Sequence, residues 1–221
     1  MLEHILQYRL RLILIFSLAL LGSGCETAYY GTMEKLGYHK RDLMVNRVES
    51  ARDAQEDAKE QFESALEKFS SVLQFDGGDL EDKYDQLKAA YDRSSARAQT
   101  VRDRIDSVED VSSDLFDEWE AELSEYSSDS LRRSSARKLK QTRRQYTQLI
   151  GAMKRAESKM DPVLTAFHDQ VLFLKHNLNA RAIASLQTEL ISVESEVNSL
   201  IKDMNASIKE ADAFINAMTS E

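Results

Sequence analysis

Apolar residues recur through most of the chain at alternating steps of three and four positions, and charged residues fill the positions between them. This spacing puts the apolar side chains on one face of an α-helix and is typical of helices that pack side by side in a coiled coil. The pattern runs from Met44 to Val72, from Leu80 to Tyr126 and from Ile183 to Met218. The sequence therefore predicts long amphipathic helices, each with a continuous apolar seam.

Breaks between these helices coincide with the few turn-forming residues. Gly77 and Gly78 follow the first helix, and a serine-rich stretch at 126–130 follows the second, where Asp129 or Ser130 is expected to cap the next helix. The apolar rhythm slips again near residues 177–179. The breaks predict helices at about residues 39–75, 80–126, 131–177 and 180–219. Such matched lengths favour an all-α fold, an elongated antiparallel helical bundle or coiled coil of three to four long helices.

Two features of the second half of the chain leave alternatives open. Asp161 and Pro162 can begin a helix, as N-cap and first helical residue, but the same proline would also fit a kink in a helix that continues. If the chain did not turn near residues 177–179, the last helix would extend well beyond its neighbours. Another chain would then be needed to cover its apolar seam.

The distribution of charge predicts which helices pair. Between Arg102 and Asp129 there are eleven acidic and two basic residues, whereas between Leu131 and Lys159 there are ten basic residues and one acidic residue. A chain that reverses near Ser128 places the acidic stretch beside the basic one, so we expect an antiparallel hairpin. The alternative is a basic face that binds the phosphates of nucleic acid or lipid headgroups, which the neighbouring acidic stretch disfavours.

The first 25 residues have the three parts of an export signal. Arg9 and Arg11 make the start basic, and the segment from Leu12 to Leu21 is almost entirely apolar. About ten apolar residues are too few to span a bilayer as a helix, which needs roughly 20. Small residues and the only cysteine of the chain, Cys25, follow this segment. We therefore expect residues 1–24 to be a signal peptide.

The residues at this junction resemble the bacterial lipoprotein lipobox, whose usual pattern is Leu-(Ala/Ser)-(Gly/Ala)-Cys. Ser23, Gly24 and Cys25 fit the pattern, while Gly22 replaces its leucine and Leu21 stands one position early. The resemblance implies that a signal peptidase recognises Leu21, Gly22, Ser23 and Gly24. It also implies that acyl chains such as palmitate are attached to Cys25. The alternative is an ordinary cleaved signal, or an uncleaved anchor, with an incidental cysteine.

The lipobox also implies a location for the mature chain. Acyl chains on Cys25 would hold the protein on a membrane, because two or three chains anchor firmly where one binds only reversibly. The residue after the cysteine is Glu26 rather than aspartate. The sorting rule of bacterial lipoproteins then implies the inner leaflet of the outer membrane, with the body in the periplasm beyond a tether of residues 25–38.

Composition and motifs supply no catalytic chemistry. The chain has one proline, seven glycines and a net charge of −9, which suits long helices and does not favour attraction to nucleic acid. It contains no phosphate-binding glycine loop, no Gly-x-Ser-x-Gly motif and no His-Glu-x-x-His pair. His168, Asp169 and His176 could share a helix face and contribute to a metal site, but surface histidines of this kind are usually structural. We therefore expect no catalytic residue, cofactor or metal.

Three stretches of the chain carry a resemblance to a known family. They are residues 29–37 with 39–42, the stretch that begins at 51–56, and above all residues 169–183. Over essentially the whole mature chain, the sequence resembles the DUF2959-like coiled-coil lipoproteins, an uncharacterised proteobacterial family. The resemblance supports the helical fold and the envelope location, and it implies no activity and no catalytic residue.

Two functional hypotheses follow. The first is a lipid-anchored, periplasm-facing protein of the cell envelope with a non-catalytic structural, scaffolding or partner-binding role. Its partners would be the membrane, through Cys25, and unidentified envelope proteins, with self-association left open and nucleic acid not expected. The alternative is a binding module that holds a lipid, another apolar ligand or a metal between its helices. Small residues in the seams would leave room for such a ligand: Ala51, Ala58, Ala65, Ser94 and Ala98.

Overall fold

The part of the chain that the structure describes is almost entirely helical. A computed structural model describes residues 40–73, 80–177 and 180–220, and these residues contain no β-strand. Five helices follow one another in chain order: α1 Lys40–Leu73, α2 Leu80–Glu122, α3 Asp129–Ser158, α4 Met160–His176 and α5 Ala180–Thr219. The chain divides into two compact units, Met1–Leu43 and Met44–Glu221, and the helical bundle is the second of them. The predicted all-α fold is confirmed.

The predicted seams form the core of this bundle. Every seam position of α1 from Met44 to Phe69 is at most 1% exposed. The seam of α5 is likewise buried from Val193 to Met218. Isolated helices are only marginally stable in water, so burial of these apolar stripes against one another is what stabilises the helices.

Side-chain contacts show that α1 runs antiparallel to α2. Arg97 Nη1 lies 2.9 Å from Asp57 Oδ2. One turn further along α1, Gln61 Nε2 donates to Ser94 Oγ, which lies one turn earlier in α2. Residue numbers therefore rise in one helix as they fall in the other, as the predicted bundle requires.

The other neighbour of α1 is α5, which also runs antiparallel to it. Ser207 Oγ donates to Gln55 Oε1 at 2.8 Å, and both side chains are fully buried. Three residues earlier in α1, Arg52 Nη1 lies 3.2 Å from Asp212 Oδ1, five residues later in α5. The first and last helices thus close the bundle.

The acidic half of α2 packs antiparallel against the basic helix α3. Arg143 Nη2 lies 2.7 Å from Glu120 Oε2, and Lys154 Nζ lies 2.9 Å from Glu109 Oε2. The hairpin predicted from the charge distribution is confirmed. Its pairs are largely exposed, so each contributes little to stability and their main effect is to select the register.

Aromatic side chains connect helices that lie diagonally across the core. The ring of Phe167 in α4 stacks on the ring of Phe69 in α1, with centroids 4.5 Å apart and an interplanar angle of 5°. Its centroid is also 6.3 Å from that of Phe62. All three side chains are at most 1% exposed. Because α1 and α4 both contribute to one stack, the core is continuous from one side of the bundle to the other.

The segment predicted as one helix at 131–177 is two helices with a short interruption at Lys159. Pro162 has no N–H to donate to the carbonyl of Ser158, and its ring crowds that carbonyl. The N–H of Lys159 bonds instead to the carbonyl of Ala156, three residues back. The prediction that Asp161 caps the following helix is wrong, since α4 begins at Met160.

The chain reverses direction between α4 and α5. Helix α4 ends at His176 and α5 begins at Ala180. At the start of α4, Lys159 Nζ lies 3.3 Å from Asp203 Oδ2, whereas Ala166 and Phe173 line a groove with Val193 and Leu186. Numbers fall in α5 as they rise in α4, so the turn predicted near 177–179 is present. The alternative of one overlong last helix is wrong.

The tip of the α2–α3 hairpin departs from the prediction in two ways. Helix α2 ends at Glu122, not near Tyr126, and both of these predicted seam residues are exposed. Among the described helices only α3 lies beside α2 at this level, so no other described helix covers them. The N-cap of α3 is Ser128, whose side chain accepts from the N–H of Leu131, and neither Asp129 nor Ser130 has that role. The turn predicted at Gly77 and Gly78 lies outside the described residues.

Candidate functional site

The predicted lipidation site lies outside the described residues. Leu21, Gly22, Ser23, Gly24 and Cys25 therefore keep the roles assigned to them from the sequence as predictions. None of the five described helices contains an apolar stretch of the length needed for a transmembrane span.

The histidines considered for a metal site lie on the surface of α4. His168 Nδ1 is 3.8 Å from Asp169 Oδ1, and the His168 ring packs against the ring of Tyr91 at a centroid distance of 5.3 Å. His176 is exposed at the end of the same helix. Among residues 40–73, 80–177 and 180–220, no group of three or more His, Cys, Asp or Glu side chains is placed to hold a metal ion.

A groove of about 500 Å³ runs between α4 and the first half of α5. Its apolar surface comes from Ala166, Phe173, Leu186 and Val193. Phe173 is 38% exposed although it is a large apolar side chain. The groove is therefore a partly apolar surface feature on one side of the bundle and not a cavity inside it.

Polar groups without partners line the same groove. The Gln170 side chain is only 5% exposed, and its Nε2 has no hydrogen-bond partner within the described part of the chain. The same holds for the buried Oε2 of Glu196. Asp169 and Glu189 add further negative charge to the rim. A ligand with an apolar body and a positive or hydrogen-bonding head would satisfy these groups.

Sequence reasoning overlooked this groove and pointed to another part of the core. Ala51, Ala58, Ala65, Ser94 and Ala98, expected to leave room for a ligand, are all fully buried, and none of them lines the groove. A signal for the groove was present in the chain. Gln170 stands three residues after Phe167 and four before Leu174, so it is a polar residue at seam spacing.

The outer face of α3 carries basic side chains that the hairpin does not pair. The helix has nine basic and two acidic residues. Arg143 and Lys154 reach acidic residues of α2, and Arg132 pairs with Asp129 of its own helix. Five exposed bases of α3 have no acidic partner within the described residues: Arg133, Arg137, Lys140, Arg144 and Arg155. The first four are called here the basic stripe. Pairing with the acidic stretch therefore accounts for only part of the basic run.

The paired face of α3 is electrostatically distinct from this stripe. Burial lowers the pKa of Lys154, but its hydrogen bond to Glu109 and the charge of Glu157 raise it by more, so the pKa lies above its ordinary value. On the same side, burial raises the pKa of Tyr146, which a hydrogen bond to Ser112 partly offsets. These groups are held by contacts within the bundle, whereas the basic stripe faces water.

Comparison with known proteins identifies the family of this chain. Neither the curated proteins nor the solved structures compared with it give a match. A family described as protein of unknown function (DUF2959) matches residues 29–218, which include all five described helices except the last residue of α5. The resemblance seen in the sequence is thereby confirmed, and the chain belongs to the DUF2959 family.

Proposed function

We propose that this protein is a lipid-anchored, periplasm-facing component of the cell envelope with a non-catalytic structural, scaffolding or partner-binding role. The observation that carries the proposal is the combination of two parts in one chain. An export-like leader ends at the only cysteine, and the chain beyond it forms a long bundle with a filled apolar core. The 43 residues of α2 alone extend for about 65 Å.

The shape of the bundle supports a spacing or scaffolding role. Its helices pair along their lengths, and fully buried side chains such as Phe62, Leu149 and Met204 fill the interior between them. Close-packed interiors of this kind resist bending and transmit displacement. A chain built in this way can hold two partners at a fixed separation.

Metabolic labelling with an alkyne fatty acid tests the anchor. Wild-type protein in cells should incorporate the label, and the Cys25→Ala variant should not, because the thioether and the new N-terminus both require this residue. Glu26→Ala is a matched control, since it changes the neighbouring residue and leaves the thiol in place. Equal labelling of wild type and Cys25→Ala would refute the anchor.

Crosslinking in cells tests the scaffolding role. A photoreactive residue at an exposed position such as Ile191, which is 75% exposed, should capture a reproducible envelope protein. The same residue at the buried position Leu149 is the control and should capture nothing beyond neighbouring segments of the chain. Recovery of only random abundant proteins from several exposed positions would contradict a scaffold.

The groove between α4 and α5 favours a second candidate function, the binding of an amphipathic ligand. Native mass spectrometry of the purified body should then detect a small molecule or lipid that co-purifies reproducibly. Ala166→Trp should abolish this signal because the indole would fill the groove. An empty protein that retains a specific protein partner would exclude this candidate, whereas a bound ligand removed by Ala166→Trp would exclude the purely structural role.

A further inference from the structure

The basic stripe places four positive charges on one face of α3. Arg133, Arg137, Lys140 and Arg144 follow one another at steps of four, three and four, so their side chains lie in one row along α3. Leu139, which is buried in the hairpin, is five residues from Arg144 and therefore about 140° away around the helix. The row thus lies away from the buried face of α3 and is exposed, with Lys140 and Arg144 also bordering a groove beside Glu120 of α2.

The arrangement works against the stability of the free protein. Like charges at three- and four-residue spacing on a helix repel one another, and the row contains three such neighbouring pairs. Among the described residues, two acids border the row, but each pairs with a base outside it: Glu120 of α2, which lines a groove with Lys140 and Arg144, pairs with Arg143, and Asp129 pairs with Arg132. An anionic partner would offset this repulsion, so binding such a partner would stabilise the stripe.

The overall negative charge of the protein does not cancel the stripe. Glu120, the α2 acid that lines a groove with Lys140 and Arg144, is paired with Arg143. Acids on the face of α2 that points away from α3 would lie roughly 20 Å from a surface placed against the stripe, since each helix with its side chains is about 10 Å across. The Debye length at physiological ionic strength is about 8 Å. An anionic surface placed against α3 would therefore experience the stripe far more strongly than the acids behind it.

The stripe lies toward the end of the bundle where α1 begins. Arg52 of α1 contacts Asp212 of α5, and the adjacent Phe214 borders a groove with Gln145 of α3. The first residue of α3, Asp129, is 16 residues before Gln145 and so about 24 Å further along the axis. The turns of α1 that follow Met44 consequently lie at the end of the bundle that carries the hairpin tip.

We propose that the basic stripe binds the anionic headgroups of a phospholipid surface, with α3 lying along that surface. A flat row of flexible bases about 16 Å long suits an extended array of phosphates better than it suits one small anion. The hairpin tip adds Leu131 and Tyr126, which are 59% and 40% exposed and can enter the headgroup region. That this surface belongs to the same membrane that holds Cys25 rests on the proposed function, whereas the binding itself does not.

The proposal gives the bundle an orientation. A tether of about 15 residues between Cys25 and Lys40 can extend to about 50 Å, so it does not force the bundle to stand upright. With α3 on the headgroups, the side of the bundle opposite α3 faces the periplasm. The anchor would fix the protein to the membrane, and the stripe would fix which face it presents.

Vesicle binding by residues 26–221 tests the stripe without the anchor. This fragment keeps the whole compact unit Met44–Glu221 with its own core and lacks Cys25, so the result does not depend on lipidation. Sedimentation is measured with vesicles of phosphatidylcholine alone and with equal parts of phosphatidylcholine and phosphatidylglycerol. The fragment should bind the anionic vesicles, fail to bind the neutral ones, and lose binding as salt is raised.

Two variants with the same change in charge separate the stripe from net charge. The first replaces Arg133, Arg137, Lys140 and Arg144 with glutamine, and the second replaces Arg93, Lys175, Lys202 and Lys209, which are exposed on other helices, with glutamine. Each base beside an anionic surface contributes roughly fivefold to partitioning, so the first variant should lose on the order of a hundredfold or more. The second should stay within about threefold of the unmodified fragment. Circular dichroism checks that both remain helical.

Three results would overturn the proposal. Failure of the unmodified fragment to prefer anionic vesicles would remove it, and so would equal losses in the two variants. Binding of polyphosphate in solution that depends on the stripe, without vesicle binding, would assign the surface to a free polyanion instead. The anchor and the stripe can fail separately. If the fragment binds anionic vesicles but wild type and Cys25→Ala are labelled equally in cells, the proposed membrane-binding stripe stands and only the lipid anchor is refuted.

Discussion

Replacing Phe167 with alanine should destabilise the entire bundle and not only α4. The Phe167 side chain is fully buried and lies between two rings of α1, with Phe69 in a parallel stack at 4.5 Å and Phe62 at 6.3 Å. No other helix supplies a ring to this stack within the described residues. Truncation would therefore leave a void at the point where opposite helices meet.

The size of the effect follows from burial and ring contact. Truncation of a fully buried phenylalanine to alanine costs about 3–5 kcal/mol, which combines lost transfer energy with the cavity left behind. Each aromatic pair adds roughly 0.5–1.5 kcal/mol beyond its buried area. We expect a loss near the upper end of the first range. With a urea dependence of about 2 kcal/mol per molar, the unfolding midpoint should fall by about 2 M.

Two optical probes show whether the loss extends through the bundle. Circular dichroism follows all the helices, whereas the only tryptophan, Trp119, reports on the hairpin, where its Nε1 donates to Ser135 Oγ. Phe167 is level with Tyr91, because the ring of the adjacent His168 contacts the Tyr91 ring. Trp119 is 28 residues after Tyr91 in α2 and therefore about 42 Å away along the helix. Both transitions should shift together if the bundle unfolds as one cooperative unit.

Phe173→Ala is the matched control, because it makes the same chemical change on the same helix at a side chain that is 38% exposed. It should cost less than about half as much as Phe167→Ala. Similar losses for the two variants would refute the reasoning from burial. A tryptophan transition that stays in place while the dichroism transition moves would refute the single cooperative bundle, and with it the rigid spacer.

Further predictions concern polar groups of the bundle. Gln55→Leu combined with Ser207→Ala should raise the free energy of unfolding by about 1 kcal/mol, because the native pair leaves Gln55 Nε2 buried without a partner. A urea midpoint lower than that of the wild type would contradict this prediction. A double-mutant cycle on Glu120→Gln and Arg143→Gln should give a coupling energy below about 1 kcal/mol, since both side chains are substantially exposed. A clearly larger value would mean that this ion pair contributes to the stability of the bundle and does not only select the register of the hairpin. Burial raises the folded pKa of Tyr146 above its ordinary 10.0, so the stabilisation from its neutral form is complete below that value and is lost as pH rises through the higher folded pKa. Tyr146→Phe should therefore flatten the decline of the melting temperature above about pH 10, and parallel melting curves for the two proteins would count against it.

Local periodicity was sufficient to predict the helices and their buried faces. The seam of α1 from Met44 to Phe69 is buried at every predicted position, because alternating steps of three and four follow directly from the pitch of a helix. The hairpin of α2 and α3 was also predictable. Eleven acids are followed by ten bases, and the two stretches come side by side when the chain reverses between them and the helices pack antiparallel. These properties are encoded within or between adjacent segments.

Helix ends and candidate surfaces depended on neighbours that the sequence does not specify. The pattern extended α2 to Tyr126, but α3 is the one described helix beside that end of α2, and the Tyr126 ring is exposed. The acidic and basic stretches suggested that the basic residues of α3 would all pair with acidic residues of α2. In the bundle only one side of α3 faces α2, so Arg143 and Lys154 find partners and the basic stripe does not.

The sequence by itself determined the helical class, the buried seams, the hairpin and the family of this protein. Tertiary structure decided the interruption at Lys159, the groove beside Gln170 and the side of α3 left to solvent. The physical reason is that periodicity shows which face of a helix is apolar. Whether the polar residues beside that face become buried, paired or exposed depends on the distance and angle of the next helix. Those quantities arise only when all the helices pack together.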